Sequence, residues 1–214
     1  MKLYIGNKNY SSWSLRAWVL MRVLGLPFEE ERIPLYGEGS VERLREISPS
    51  AKVPCLHDGD IVVWDSLAIA EYLGERHPGV WPRDARARAW ARSAAAEMHS
   101  GFDDLRNEMG MNVRLHRPQR PSDKVAANIE RIVSLWVESR SQFGAGGEFL
   151  CGDFGAVDAF YCPVALRFET YGVELASTAR AYCDALLRLP AMREWCAAAR
   201  AETERIPAFD PAEA

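Results

Sequence analysis

The chain has 214 residues, of which 48% are hydrophobic, and a formal net charge of −4. This length allows one or two domains with a substantial core, and this hydrophobic share excludes a disordered chain. An acidic balance without any basic run able to track a phosphate backbone argues against a nucleic-acid partner.

The first predicted element is Leu3-Tyr4-Ile5, a short buried strand that is apolar, partly β-branched and closed by Gly6. Leu15, Trp18, Val19, Arg22 and Val23 then recur at helical spacing until Leu24-Gly25-Leu26-Pro27 stops the helix. Ser11, Ser12 and Ser14 therefore sit where a strand turns into a helix N-terminus. Such a place suits an anion, because the first amides are unpaired and the helix dipole favours negative charge. Phe28 to Leu35 mixes apolar and charged residues as a strand does. Ser40 is expected to cap a short helix through Glu46, which Ser48-Pro49-Ser50 breaks. Val53 to His57 and Ile61 to Trp64 read as two strands joined by the turn Asp58-Gly59-Asp60. Asp65-Ser66 opens a helix with Leu67, Ile69, Ala70 and Leu73 on its apolar side. The order is β-α-β-α-β-β-α, with parallel pairing expected across the first crossover and antiparallel pairing in the hairpin.

His77-Pro78-Gly79-Val80-Trp81-Pro82 reads as a linker, and from Asp84 onward every periodic segment is helical. The expected helices run over about 84–109, 123–142, 156–171, 177–188 and 190–203, rich in helix-favouring Ala, Leu, Arg and Glu. The expected division is thus an α/β domain at 1–76, a linker at 77–83 and an all-α domain at 84–214. The tail from Pro207 to Ala214 is expected to be loose, with Phe209 as its one docking side chain.

No apolar segment is long enough to span a bilayer, and the start lacks the apolar core of a signal peptide. Cys55, Cys151, Cys162, Cys183 and Cys196 make an odd count without metal-ligand spacing, so they read as reduced thiols. A cytoplasmic location without membrane or metal follows as the expectation.

Four features together resemble the cytosolic glutathione transferases over nearly the whole chain. Ser11-Ser12-Trp13-Ser14-Leu15-Arg16 is similar to the serine motif of the zeta-type enzymes, in which cysteine is usual where Trp13 stands. Val53-Pro54 resembles the family's Val-Pro with a cis peptide bond. Asp65-Ser66 stands where the family has an acidic residue or glutamine followed by Ser. Gly155-Ala156-Val157-Asp158 resembles the capping box of the central helix of the second domain. The resemblance implies a thioredoxin-like domain followed by a helical one, a homodimer, and glutathione as co-substrate.

A transferase holds the thiol of glutathione as thiolate near neutral pH. Starting from a pKa near 8.5, that needs about a two-unit shift, or about 2.7 kcal/mol. A helix N-terminus supplies about 0.3–2 kcal/mol, and a hydrogen bond to a charged acceptor about 1.5–3 kcal/mol. Only the two combined comfortably suffice. The resemblance assigns the donor role to Ser11, with Ser12 as second contact, although either serine also suits plain helix capping. It further implies that Val53, beside Pro54, pairs with the peptide of glutathione as an added strand. The Ser66 hydroxyl and nearby amides suit the γ-glutamyl carboxylate, Asp65 the ammonium group, and Lys52 the glycine carboxylate. Trp13 borders this site, where its indole either narrows the site or packs inward.

The second substrate is expected in the cleft between the domains, under the long helix, with Met98, His99, Phe102 and Arg106 broadly on one side. Tyr10 and Met111 add apolar wall. The zeta isomerases carry a substrate-binding arginine in the central helix; Thr170 stands at its place here, and Arg167 lies one turn earlier. The reading is therefore a glutathione transferase that conjugates a small apolar electrophile. The alternatives are a glutathione-dependent cis-trans isomerase of the maleylacetoacetate type and a binding protein that keeps the fold without turnover.

Overall fold

Apolar residues after Met1 form a central strand, β1 (Lys2–Ile5), with Leu3 and Ile5 fully buried. In the computed structural model, which describes residues 1–207, 209 and 210, β1 pairs in parallel with β2 (Glu29–Arg32). On its other side it pairs antiparallel with β3 (Cys55–Asp58), and β3 pairs antiparallel with β4 (Ile61–Trp64), giving the order β2-β1-β3-β4. Gly59, with φ 59°, turns the hairpin in the left-handed region that glycine enters without strain. Helices α1 (Ser12–Val23), α2 (Ser40–Ile47) and α3 (Ser66–Gly74) complete the thioredoxin-like layer.

The second strand is shorter than Phe28 to Leu35, because Ile33 N–H makes the last ladder bond, to Ile5 O at 2.8 Å, and Pro34 has no N–H to continue it. Ser40 does not cap α2. Gly39 holds the cap at φ 72°, while the Ser40 hydroxyl donates to the carbonyl of Pro34.

The remaining described elements are helices: α4 (Ala85–Ser100), α5 (Asp103–Glu108), α6 (Asp123–Phe143), α7 (Ala156–Tyr171), α8 (Ser177–Arg188) and α9 (Pro190–Ala201). The single helix expected over 84–109 is two. Glycine at 101 favours a break, and Phe102 follows in the left-handed region at φ 63°. Arg106 stabilises the break by donating to the carbonyls of Gly101 and Met98, which a continuing helix would have used.

α7 is the axis of the helical layer, with every residue except Glu169 buried. It packs against α1, α4 and α8, and Trp136 from α6 meets Tyr161 and Phe168 of α7 and Tyr182 of α8. At its start Gly155 N–H donates to Asp158 Oδ2 at 2.9 Å, the reach-back half of a capping box. The departure from the usual Ser or Thr has a steric cause: a Cβ at Gly155 would meet Val80 O at 2.9 Å. That carbonyl also accepts Ala156 N–H at 2.8 Å, so the linker is seated on the helix start. Asp158 Oδ1 accepts Leu150 N–H and Tyr182 O–H, and burial pushes this carboxyl up to about 6.

Among the described residues no helix is long and apolar enough to cross a membrane. All five cysteines are unpaired. Phe209 and Asp210 are docked rather than loose, whereas the looseness expected of Ala208 and 211–214 falls outside the described residues.

Candidate active site at the start of the first helix

The turn between β1 and α1 is fixed by Asn7, whose carbonyl accepts Tyr10 N–H at 3.1 Å and Ser11 N–H at 2.8 Å. Ser11 is the N-cap of α1: its Oγ accepts Ser14 N–H at 3.4 Å. The Ser11 hydroxyl also donates to Ser14 Oγ at 2.7 Å, and Ser14 Oγ receives Gly6 N–H at 3.1 Å. Ser12 begins the helix, buried, with its hydroxyl taken by no described group. The first turn of α1 carries no acidic residue, so its positive end is not neutralised locally.

Both serines line a cleft of about 470 Å³ together with Tyr10, Met111, Arg106 and Arg167. A second cavity of about 420 Å³ adjoins it, lined by Pro54, Asp65, Ser66 and His99. Trp13, Lys52 and Val53 line both. Trp13 is thus a partition and not a core residue: it is 36% exposed and meets His99 edge-on at 5.2 Å. The Val53–Pro54 bond is cis.

Asp65 is the N-cap of α3, with Oδ1 accepting Leu67 N–H at 2.8 Å and Ala68 N–H at 3.5 Å. Its other oxygen stands 3.4 Å from His99 Nε2. Burial lowers the His99 pKa, and Arg16 and Arg106 add to that, against the opposing pull of Asp65. Ser66 Oγ is buried without a partner among the described residues. Two carboxylate-sized features, a free hydroxyl and a helix N-terminus, therefore face the smaller cavity.

The sequence-expected stripe on the helical side is only partly assembled. His99 and Arg106 line the cavities, as does Met111. Met98 is fully buried in the core and contributes only its carbonyl, which accepts from Arg16 and Arg106. Phe102, at the break, packs against the core and lines neither cavity. Thr170 is buried with its hydroxyl on Asn112 O at 3.3 Å, whereas Arg167 reaches the cleft.

Three arginines converge behind and beside Trp13. The Arg16 guanidinium lies 4.3 Å from the Trp13 ring centroid and 4.7 Å from that of Phe160, and Arg106 lies 4.7 Å from Trp13. Arg167 is 3% exposed, with Nε donating to Met109 O at 2.8 Å. Among the described residues none of the three forms a salt bridge, and Arg16 Nε and Nη1, Arg106 Nη1 and Arg167 Nη1 are buried without acceptors. Burial, then the neighbouring Arg106, pushes Arg167 down to about 9; Arg16 is lowered by burial and by both other arginines. A guanidinium stays protonated in proteins, so these shifts express chiefly the cost of burying the cations, to which their mutual repulsion adds.

Reading the sequence missed the clamp that the end of the chain places on this site. Glu202 accepts Lys8 N–H at 2.7 Å and Asn9 N–H at 3.1 Å, fixing the turn before Ser11. Arg114 donates to Glu202 O, Glu204 O and Tyr10 Oη, and Tyr10 in turn donates to Asp210 Oδ2 at 2.6 Å. Phe209 and Tyr36 line the cleft mouth. The available signals were faint: a lone aromatic in a polar tail, and Tyr36 in a glycine-flanked loop. A larger cavity of about 850 Å³ lies between the linker and the start of α7, but the Cys151 thiol there is pushed up to about 11 by burial and offers no nucleophile.

A domain model described as "Glutathione S-transferase, N-terminal domain" matches residues 10–76. Glutathione S-transferase Z1 of Arabidopsis thaliana is 34% identical over 191 residues, covering 77% of this chain and 86% of that protein. The probable maleylacetoacetate isomerase of Caenorhabditis elegans is 37% identical over 99 residues, so the chain spans about half of that relative's length (46%) and matches over 45% of its own. Among solved structures, a maleylacetoacetate isomerase of Methylobacterium extorquens AM1 with bound malonate and glutathione superposes with TM-score 0.67 at 25% identity, covering 91% of this chain and 95% of that one.

Proposed function

The chain belongs to the glutathione S-transferase family, and from that premise we propose that it activates the thiol of glutathione at the start of α1 and adds it to a small electrophile. The observation that carries this reading is the adjacent pair of serines, Ser11 and Ser12, at a helix N-terminus with no acid in its first turn, both lining one cleft. Ser11 is the donor to sulfur. Its proton now points to Ser14 Oγ, but Ser14 can donate across the same 2.7 Å while still receiving Gly6 N–H. Rotating both hydroxyls frees the Ser11 proton for the thiolate without moving a heavy atom. Ser12 gives the second contact. The hydrogen bond and the helix end together reach the ~2.7 kcal/mol that a two-unit shift requires.

The smaller cavity takes the rest of glutathione. Val53 offers main-chain groups to the peptide, and Ser66 at the start of α3 receives the γ-glutamyl carboxylate. Asp65 Oδ2, the oxygen beside His99 Nε2, suits the ammonium group, and Lys52 is the candidate for the glycine carboxylate. The test is a pH titration of the ultraviolet thiolate band of bound glutathione in wild type, Ser11→Ala and Ser12→Ala.

A second reading, cis-trans isomerisation, is favoured by Arg106 and Arg167, whose unpaired guanidinium nitrogens suit a carboxylate-bearing substrate. In that reaction the thiolate adds to the double bond, the new single bond rotates, and the thiolate leaves again. Glutathione is then regenerated instead of consumed, which product analysis reads directly. The relatives named as isomerases support keeping this reading.

The proposed division of labour puts glutathione on the layer up to α3 and the second substrate on the helices beyond the linker. Ile61, Val62 and Trp64 are exposed along edge strand β4, which supports a homodimer, and sedimentation checks it. Five unpaired cysteines suit a reducing, cytoplasmic setting.

A further inference from the structure

The cleft beside the serines has two ends of opposite chemistry. At the deep end, Arg106 and Arg167 present buried nitrogens without acceptors. At the mouth stand three aromatic rings: Phe209 lies 5.9 Å from Tyr10 and 5.8 Å from Tyr36, centroid to centroid. Phe209 is 43% exposed and Tyr36 75% exposed, and neither belongs to the hydrophobic core.

Exposed rings of this size normally fray, yet this wall is pinned by polar bonds. Asn112 Nδ2 donates to Phe209 O at 3.2 Å and to Asp210 Oδ1 at 2.9 Å, and Asp210 Oδ2 accepts Tyr10 O–H. Ile206 N–H donates back to Tyr10 Oη at 3.3 Å. Tyr36 is held at φ 60°, a region costly for a bulky residue. Holding apolar rings in water by such means makes sense where a ligand covers them.

We infer that the second substrate is an amphipathic carboxylate: its carboxylate sits on Arg106 and Arg167, and a flat aryl or similarly apolar group stacks on the Tyr10–Phe209–Tyr36 wall, with Phe209 of the C-terminal segment setting specificity. The inference rests on the transferase reading, since it puts the electrophilic carbon between the two ends, beside Ser11 and Ser12. A substrate with carboxylates and no apolar group would leave the aromatic wall bare. One with an apolar group alone would leave the guanidiniums unpaired.

The test uses unreactive probes and calorimetry on the full chain. 2-Naphthoate carries both features, malonate only carboxylates, and 2-naphthamide only the rings. Wild type is expected to bind 2-naphthoate more tightly than either control. Phe209→Ala should weaken 2-naphthoate by about 3- to 10-fold, the worth of a stacked ring, while leaving malonate binding and the glutathione thiolate titration unchanged. Arg167→Met should weaken both carboxylates. Equal binding of 2-naphthoate and 2-naphthamide, or a Phe209→Ala protein that binds 2-naphthoate as wild type does, overturns the inference. A missing thiolate band with normal 2-naphthoate binding would instead sink the transferase reading, so the two failures are distinguishable.

Discussion

Arg167→Met separates a binding residue from a packing residue in one experiment. Arg167 is almost wholly enclosed, and its one described bond is from Nε to Met109 O. Methionine fills similar volume but leaves that carbonyl unpaired, at a cost of about 1–3 kcal/mol. Against this, replacing buried ionic groups by well-packed apolar ones is often neutral or stabilising by up to about 4 kcal/mol, and here the charge lies beside two further cations. The two effects oppose each other, so the net change in stability stays within about 3 kcal/mol, or a Tm change of no more than about 6–12 °C for a chain of this size. Ligand binding behaves differently. A charge-assisted bond to a carboxylate is worth about 1.5–3 kcal/mol, so malonate affinity should fall by about 10- to 150-fold. Calorimetric titration with malonate and thermal unfolding supply the two readouts. A large loss of stability with malonate affinity intact would refute the reasoning and make Arg167 a core residue whose charge is already neutralised.

The serines give the next prediction. Ser11→Ala should raise the pKa of bound glutathione by about 1–2 units through the lost hydrogen bond, and lower stability by about 0.5–2 kcal/mol through the lost cap; Ser12→Ala should do less to the titration, and the reverse order would show that Ser12 is the donor. Gly155→Ser restores the residue expected of a capping box, yet it should destabilise by about 1–3 kcal/mol because its Cβ strikes Val80 O; denaturant unfolding measures it, and a gain in stability would contradict the steric account. Asp158 titrates near 6 in the fold, above its ordinary value near 4, so the folded chain binds more protons in that window. Its contribution to stability should therefore fall as pH rises from about 4 to about 6 and stay level above that. Asp158→Asn should remove this slope, and an unchanged pH profile of unfolding would show that another group produces it.

The β-α-β-α-β-β-α order was readable because each element is short, strongly patterned and punctuated by Gly, Pro or a capping residue. The break at Gly101 was not, since Met98, Phe102 and Arg106 keep helical spacing through it, and only the backbone bonds of Arg106 show why it ends. The turn between β1 and α1 was legible as a motif, but the contacts of Ser14 Oγ with Ser11 and with Gly6 N–H were not. The arginine group was only partly legible. Arg106 and Arg167 were each expected near the second substrate, but positions 16, 106 and 167 lie far apart in the chain, so their convergence with Arg16 was not readable. The same holds for the C-terminal clamp, where Glu202 reaches back across 194 positions to Lys8. Gly155 shows the converse: a residue that looks like a weak cap is required by a carbonyl from the linker.

The claim on which the rest depends is that the start of α1 holds glutathione as thiolate. The direct measurement is the pH titration of the thiolate absorbance of glutathione bound to the unaltered protein. The account predicts a band already present at neutral pH, with a midpoint about two units below the ~8.5 of a free thiol. A midpoint equal to that of free glutathione would contradict it.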